Sequence, residues 1–285
     1  MKHPTADTLV AMQSQKRFML FLSLLLFLVA LFALVSRWPV AYALIAFSCV
    51  FHLLSSLAYK RRYKAAFIQV LLEQAASDME AVAYAASETA DGLLAARGLT
   101  PGVPFVAGAK QHHVLRGSAN GVRFSLSEAV FLRKREGRAM GTVGGTLVLA
   151  DGVLPQSERW MLALGEPFAK VCSADEYVKA GYVLTPLADA PQEEKANASP
   201  ALWLYQGKDA EYARACAAAL RRADLSAPVA LAACEGSLSL FLLGAYYAPN
   251  QVDSAKPFHP GMLEGVRLPA FELMQKLIND AVRQV

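Results

Sequence analysis

The feature that most constrains this 285-residue chain is an uncharged apolar run near its start. Residues 18–35 read FMLFLSLLLFLVALFALV and contain a single serine. As a helix that rises 1.5 Å per residue, the run would be about 27 Å long, which is enough to cross the hydrocarbon core of a bilayer. Residues 40–59 form a second uncharged run, interrupted only by serines, Cys49 and His52. The two runs predict a transmembrane helical hairpin over residues 18–59.

The link between the two runs is only four residues long, at positions 36–39. So short a connection favours antiparallel neighbouring helices, and Pro39 suits the first turn of the second helix. Arg37 and Trp38 are residue types that anchor helix ends at the membrane–water interface. His52 and the nearby serines could form a polar path through the membrane, but a pair of spans without an acidic residue is a poor transporter unless it oligomerises.

Basic residues predict the orientation of the hairpin. Only Arg37 lies between the runs, whereas the outer flanks carry Lys2, Lys16, Arg17, Lys60, Arg61, Arg62 and Lys64. Cytoplasmic flanks are enriched in lysine and arginine, so we expect residues 1–17 and the C-terminus to be cytoplasmic in a two-pass plasma-membrane protein. A cleaved signal peptide is the alternative, because Lys16 and Arg17 resemble the charged leader of such a peptide. The first run is longer than an ordinary signal core, and a second apolar run follows directly, so both argue against the alternative.

Composition adds little beyond the hairpin. The chain is 55% hydrophobic with a net charge of +4, and the excess of both lies largely in the apolar runs and their basic flanks. The arginines elsewhere are scattered, so we predict no nucleic-acid partner. The four cysteines, Cys49, Cys172, Cys216 and Cys234, have no CxxC spacing. Such residues are usually small buried hydrophobes, and the pattern favours a reducing compartment, although a disulfide remains open.

After the hairpin, alanine-rich sequence with apolar residues at helical spacing predicts a juxtamembrane helix over residues 60–98, ending at Gly98. Beyond Pro101 short β-rich runs predict strands, and Asn120-Gly121 is a typical hairpin turn. The predicted strands cover residues 103–106, 113–115, 122–126, 130–134 and 146–149, with further turns at Gly137 and Asp151-Gly152. An antiparallel sheet is expected.

The remainder alternates between helix and strand signals. We predict a short helix over residues 155–164, a helix that starts near Ser173, a flexible loop at 188–200, a helix over 210–223 and a terminal helix over 269–285. Two strands, 229–233 and 238–243, flank Glu235-Gly236. Residues 99–285 therefore form a soluble α+β domain with a mainly antiparallel sheet.

Motifs of chemistry are weak throughout the chain. His112 and His113 are adjacent, so a regular strand would point them to opposite faces and they could not chelate one ion. Residues 140–145, MGTVGG, lack the spacing of a phosphate-binding loop and are interpreted as a turn before a strand. Nucleophile-elbow, zinc-protease and kinase motifs are missing from the sequence. We therefore predict no catalytic, cofactor-binding or metal-binding residue and no cofactor.

Residues 168–186, FAKVCSADEYVKAGYVLTP, resemble a recurring block of a bacterial membrane-protein family called domain of unknown function 3137. Residues 117–128 and 238–242 are similar to other strand elements of the family, in the same order along the chain. Residues 188–209 resemble an insertion, and the glycine-rich strand that usually precedes Thr146 is weak here. The resemblance covers most of the chain and implies a two-helix anchor with a cytoplasmic domain in the bacterial inner membrane.

The resemblance implies an architecture but no reaction, since no reaction is established for the family. Family members are associated with other small membrane proteins, including the LemA type, which makes a LemA-type partner an expectation. We expect a membrane-anchored cytoplasmic interaction or accessory module; a membrane-tethered enzyme with an unrecognised active site, or a subunit of a channel or transporter, are the alternatives. Block 168–186 is either structural or a partner surface, and the candidate surface residues are Asp175, Tyr177, Tyr182, Thr185 and Pro186.

Overall fold

The computed structural model of the chain describes residues 4–89, 106–135, 138–164, 183–186, 202–205, 211–223, 227–247, 256, 258–263 and 267–283. The chain divides into two compact units. The helical unit comprises residues 1–75 and 249–266, and the sheet unit comprises residues 76–248 and 267–285. The predicted helix at Ser173, the turn at Gly137, the loop at 188–200 and Cys172 lie outside the described residues.

Two long helices make up most of the helical unit. Helix α1 spans Ala6–Val35 and helix α2 spans Ala41–Ala75, so each continues from an apolar run into polar sequence. Thr5 and Thr8 form a reciprocal cap at the start of α1: the Thr8 amide donates to the Thr5 hydroxyl and the Thr5 amide donates to the Thr8 hydroxyl. This cap satisfies two amides that have no partner inside the helix.

A tight turn reverses the chain between the two helices. The Trp38 amide donates to the Ala33 carbonyl and the Arg37 amide donates to the Leu34 carbonyl, at 2.9 and 3.0 Å. Arg37 adopts a left-handed backbone conformation with φ of +58°. This pattern of bonds is a Schellman motif, which ends a helix and usually places glycine where Arg37 stands. Pro39 precedes α2, which begins at Ala41.

Both helices are long and apolar enough to cross a membrane. Only 17% and 11% of the residues in their most apolar stretches are buried, which is unlike a core helix of a soluble protein. Among the described residues, all the exposed large hydrophobic side chains except Val10, Leu132 and Tyr246 lie between Phe18 and Leu57. Small side chains are the ones buried in these stretches: Ser23, Ala30, Ala33, Ala41 and Ser48.

Beyond the apolar runs, the helices enclose a small core of their own. Leu9, Tyr63, Val70 and Phe258 are buried together, and the ring of Phe258 packs edge-on against Phe67 at 6.3 Å. The side-chain amide of Gln13 donates to the Tyr63 hydroxyl at 3.2 Å and to the Lys256 carbonyl at 3.1 Å. Residues 258–263, which include the 3-10 turn Pro260–Leu263, therefore return to the helical unit.

The predicted juxtamembrane helix over residues 60–98 is wrong over residues 76–89, and residues 90–98 lie outside the described part of the chain. Helix α2 continues without a break through the basic cluster and ends at Ala75, and Glu80–Thr89 forms strand β1. Alanine is a strong helix former, but helix propensity is worth less than about 1 kcal/mol per residue, and pairing with the neighbouring strand outweighs it. The sheet unit consequently begins at Ala76 rather than at residue 99.

The sheet unit is built on a nine-stranded sheet, in the order β1-β2-β3-β4-β9-β8-β5-β7-β6, in which all pairs are antiparallel. The other strands are β2 Val106–Ala119, β3 Val122–Arg135, β4 Arg138–Asp151, β5 Trp160–Leu164, β6 Val183–Pro186, β7 Leu202–Tyr205, β8 Val229–Cys234 and β9 Ser237–Leu243. The predicted α+β class with an antiparallel sheet is confirmed.

Two hairpin turns confirm their sequence signals. Asn120-Gly121 joins β2 to β3 with φ of +53° and +78°, and Glu235-Gly236 joins β8 to β9 with φ of +50° and +77°. Two successive left-handed residues are the geometry of a type I′ turn, whose twist matches that of the flanking strands. The predicted strands at 122–126 and 130–134 are parts of the single strand β3.

Two local predictions on this sheet are wrong. Residues 160–164 form strand β5 rather than the end of a helix, because β5 pairs with both β7 and β8 and its residues Trp160, Met161 and Leu162 are buried. The glycine-rich run 140–145 lies inside β4 instead of forming a turn. A Cβ on Gly145 would lie 2.0 Å from the Leu242 carbonyl oxygen, so glycine here permits close approach of β9.

The described part of the sheet unit contains two helices, and both were predicted. Helix α3 spans Glu211–Arg222, and helix α4 spans Pro269–Leu277 and continues as a π-helical turn over Ile278–Val282. Proline at the first position of α4 is favourable because that position needs no amide donor. The ring of Phe271 on α4 packs edge-on against Phe124 of β3 at 5.0 Å, which places α4 on the sheet face that contains Phe124.

Candidate functional site

The antiparallel register of α1 and α2 brings polar side chains together along one side of the hairpin. The Lys16 ammonium lies 5.2 Å from the centre of the Tyr59 ring. Two helical turns deeper, the Ser23 hydroxyl and His52 Nδ1 are 3.0 Å apart, and the Ser48 hydroxyl donates to the Ser23 carbonyl at 3.5 Å. These bonds give His52 and the serines partners between and within the helices, which is a sufficient structural role for polar groups in an apolar segment.

A groove opens beside the Lys16–Tyr59 contact, with a volume of about 150 Å³. It is called the basic groove below, and its lining residues are Met12, Gln15, Lys16, Met19, Leu20, His52, Ser55, Ser56, Ala58, Tyr59 and Arg62. The positions on α1 and on α2 recur at intervals of three or four, so each set lies on one helical face. The lining contains two cationic side chains, Lys16 and Arg62, and none of these lining residues is acidic.

A second groove of about 470 Å³ continues towards the helix–helix turn. This apolar groove is lined by Leu20, Ser23, Leu24, Phe27, Ser48, Cys49, His52 and Leu53. Leu20 and His52 line both grooves, so the two grooves adjoin along the hairpin. The combined site is cationic at one end and apolar over most of its remaining length.

The predicted interface anchors fall into three positions. Lys16 and Arg62 line the basic groove. Arg17, Lys60 and Arg61 are exposed residues at the same end of the hairpin and are not part of its lining. Arg37 and Trp38 lie in the turn at the opposite end, where Trp38 is 54% exposed.

A polar cluster on the sheet unit is the second arrangement with chemical interest. The pairing of β2 with β3 shifts register between His112 and Leu115, which marks a β-bulge, and His113 has φ of +52°. The Tyr84 hydroxyl lies 2.9 Å from His113 Nδ1. The Tyr247 hydroxyl donates to the backbone carbonyl of His113, and the Leu126 carbonyl is a second acceptor at 3.5 Å. Bulges and left-handed non-glycine residues are found often at functional sites.

The hydrogen bonds in this cluster give its polar groups partners within the protein, so the arrangement is explained without a substrate. Desolvation raises the pKa of Tyr247 above its ordinary value, and the Glu128 carboxylate and Tyr84 raise it further. Tyr247 is therefore a neutral hydrogen-bond donor at physiological pH, and its hydroxyl links the chain after β9 to the bulge. In the described part of the chain, no group of three or more His, Cys, Asp or Glu side chains is placed to hold a metal ion.

The candidate partner surface can be placed only in part. Thr185 and Pro186 belong to β6, the last strand of the described sheet order, where Thr185 pairs with Trp203 of β7. Asp175, Tyr177 and Tyr182 lie outside the described residues. Proline at an edge strand is common because it needs no partner for an amide.

The comparisons add no relative: the chain matches no family model, no curated protein and no solved structure. The residues themselves carry the functional argument. Sequence reasoning identified Lys16 and Arg62 as anchors but missed Met12 and Gln15 as groove residues. Their signal is the spacing of four residues from Gln15 to Met19 and from Met12 to Lys16. This spacing places each pair on one side of the helix, but only the position of the facing helix shows that this side lines a groove.

Proposed function

We propose that the chain is a two-pass membrane protein whose helices α1 and α2 tether the sheet unit as a cytoplasmic interaction or accessory module. The observation that carries the proposal is the low burial of the two apolar stretches, at 17% and 11%. Apolar surface of this extent is stable only against lipid or another protein. The basic flanks support a cytoplasmic location of both termini.

An accessory role is supported by the kind of surface that the sheet unit offers. Its described sheet ends at β6 and β1, and edge strands can pair with an extended segment of a partner. The resemblance to domain of unknown function 3137 supports a bacterial inner-membrane location and a LemA-type or other membrane or cytoplasmic partner. The enzyme alternative rests on the Tyr84–His113–Tyr247 cluster, whose hydrogen bonds already have a structural explanation.

Cysteine labelling in intact cells tests the topology. In a variant without the four native cysteines, Ser14→Cys and Ser36→Cys place thiols at exposed serines on either side of the first apolar run. A membrane-impermeant maleimide should label Ser36→Cys in intact cells and Ser14→Cys only after lysis. The reverse pattern contradicts the orientation.

A third variant tests whether the helices span the bilayer. Cys49 is exposed on the side of α2, in the middle of the second apolar run. When Cys49 is the only cysteine, lipid should protect it from the maleimide in intact and in lysed cells, and detergent should release it. Rapid labelling of Cys49 in native membranes contradicts the spanning arrangement. Crosslinking in native membranes then tests the accessory role, and recovery of the chain alone as a monomer contradicts it.

A further inference from the structure

We propose that the basic and apolar grooves together bind one anionic phospholipid, with its phosphate between Lys16 and Arg62 and one acyl chain along the apolar groove. The inference rests on the proposed membrane-spanning function and adds a specific ligand to it. It differs from general attraction of basic residues to a membrane, because only two of the basic side chains at this end line the site.

Charge complementarity identifies the headgroup. Lys16 and Arg62 come from different helices and line one groove, and none of the described residues that line it is acidic. The Tyr59 ring lies 5.2 Å from the Lys16 ammonium and limits the positions that this flexible side chain adopts. A guanidinium and an ammonium are the two side-chain groups that bind phosphate best. Basic pockets between membrane helices on the cytoplasmic side are the known type of site for anionic headgroups.

The length of the site identifies a lipid rather than a free phosphate. From Lys16 to Phe27, the deepest α1 residue of the apolar groove, the helix rises about 16 Å at 1.5 Å per residue. One leaflet contributes about half of a hydrocarbon core that is about 30 Å thick. The apolar groove therefore has the depth of one acyl chain when the basic groove lies at the headgroup level, and a soluble phosphate would leave it unused.

Native mass spectrometry of the full-length protein tests the proposal. The detergent-solubilised chain is mixed with equal amounts of phosphatidylglycerol and phosphatidylethanolamine that have the same acyl chains. We expect the wild-type chain to retain phosphatidylglycerol preferentially. Each lost hydrogen bond to a charged group corresponds to at least about tenfold in affinity, so the double variant Lys16→Gln/Arg62→Gln should bind phosphatidylglycerol at least about 100-fold more weakly.

The matched control is Arg17→Gln/Arg61→Gln, which removes the same charge from adjacent positions that do not line the groove. It should keep the preference of the wild type to within about fivefold. Equal loss in both double variants overturns the proposal in favour of general surface attraction. An unchanged preference in Lys16→Gln/Arg62→Gln also overturns it.

A steric variant covers the case in which the charge variant does not fold. Ser56→Phe keeps all charges and fills the basic groove, so it should reduce phosphatidylglycerol binding while the circular dichroism spectrum stays unchanged. Lipid binding unaffected by Ser56→Phe, or a lipid-free dimer as the dominant species of the wild type, overturns the lipid assignment. Failure of the tethering proposal is read separately, from maleimide labelling of Cys49.

Discussion

The hydroxyl of Tyr247 is expected to stabilise the sheet unit more than its position on a loop suggests. It donates to the carbonyl of His113, a residue held at φ of +52° in the bulge of β2. Tyr247→Phe removes this donor and leaves a carbonyl without its partner in a partly buried site. Loss of a partner from a buried polar group costs about 1–3 kcal/mol, so the free energy of unfolding should fall by that amount.

The same hydroxyl should make stability depend on alkaline pH. Desolvation raises the pKa of Tyr247 in the folded state above the ordinary value of 10.0. The folded protein then keeps this proton while the unfolded chain loses it, so the stabilisation is complete below about pH 10 and declines at higher pH. Its slope is at most about 1.4 kcal/mol per pH unit. Tyr247→Phe should lack this component.

Hydrogen–deuterium exchange of β2 and denaturant unfolding of the full-length protein in detergent measure both effects. A loss of about 1–3 kcal/mol corresponds to about 5- to 140-fold faster exchange of the β2 amides that open with the sheet. Tyr246→Phe is the control, because Tyr246 is adjacent and 47% exposed, and it should change stability by less than about 0.5 kcal/mol. Equal effects of the two variants, or an alkaline slope that is no smaller in Tyr247→Phe than in the wild type, would refute the reasoning.

Three further predictions concern the turn at Arg37, the glycines of the sheet and the ion pair of Glu88. Arg37→Gly should make the hairpin about 1 kcal/mol more stable than Arg37→Ala in detergent titration, because only glycine adopts φ of +58° without cost and both changes remove the charge. Gly145→Ala should destabilise the sheet unit by more than about 3 kcal/mol in thermal unfolding, because the added Cβ would overlap a carbonyl of the neighbouring strand. Gly108→Ala is the control and should be tolerated, because no atom lies within 4 Å of its added Cβ. Glu88→Gln should lower the free energy of unfolding by less than about 1 kcal/mol, because the ion pair of Glu88 with Arg116 is partly exposed. Arg116 lowers the pKa of Glu88, so the stabilisation by this pair is present above about pH 4.5 and is lost in acid titration.

The sequence alone was sufficient wherever the signal is local. The apolar runs predicted two long helices because side-chain hydropathy is a property of consecutive residues, although both helices extend beyond the runs, to Ala6 and to Ala75. Asn120-Gly121 predicted its turn because the left-handed conformation is set by the two residues themselves. The strands around Glu235-Gly236 and the helices at 211–222 and 269–277 follow from the same local periodicities.

Sequence reasoning failed where a partner strand decided the outcome. Residues 80–89 are rich in alanine and read as helix, but they form β1 because β2 offers a row of unsatisfied backbone groups. The glycine run at 140–145 suggested a turn, and its role became apparent only from β9, whose backbone approaches Gly145 too closely for a side chain.

What the chain by itself determined is therefore the existence of a long apolar hairpin and an α+β unit with antiparallel hairpins. Only the tertiary structure decided the strand order, the bulge at His113 and the grooves beside Lys16. The reason is physical: local conformation depends on neighbours a few residues away, whereas the approach of Lys16 to Tyr59 or of Tyr247 to His113 depends on packing between residues 43 and 134 positions apart. In the hairpin, the buried small side chains and the turn at Arg37 set the register of α1 against α2. This register brings basic residues that are far apart in the sequence to one groove.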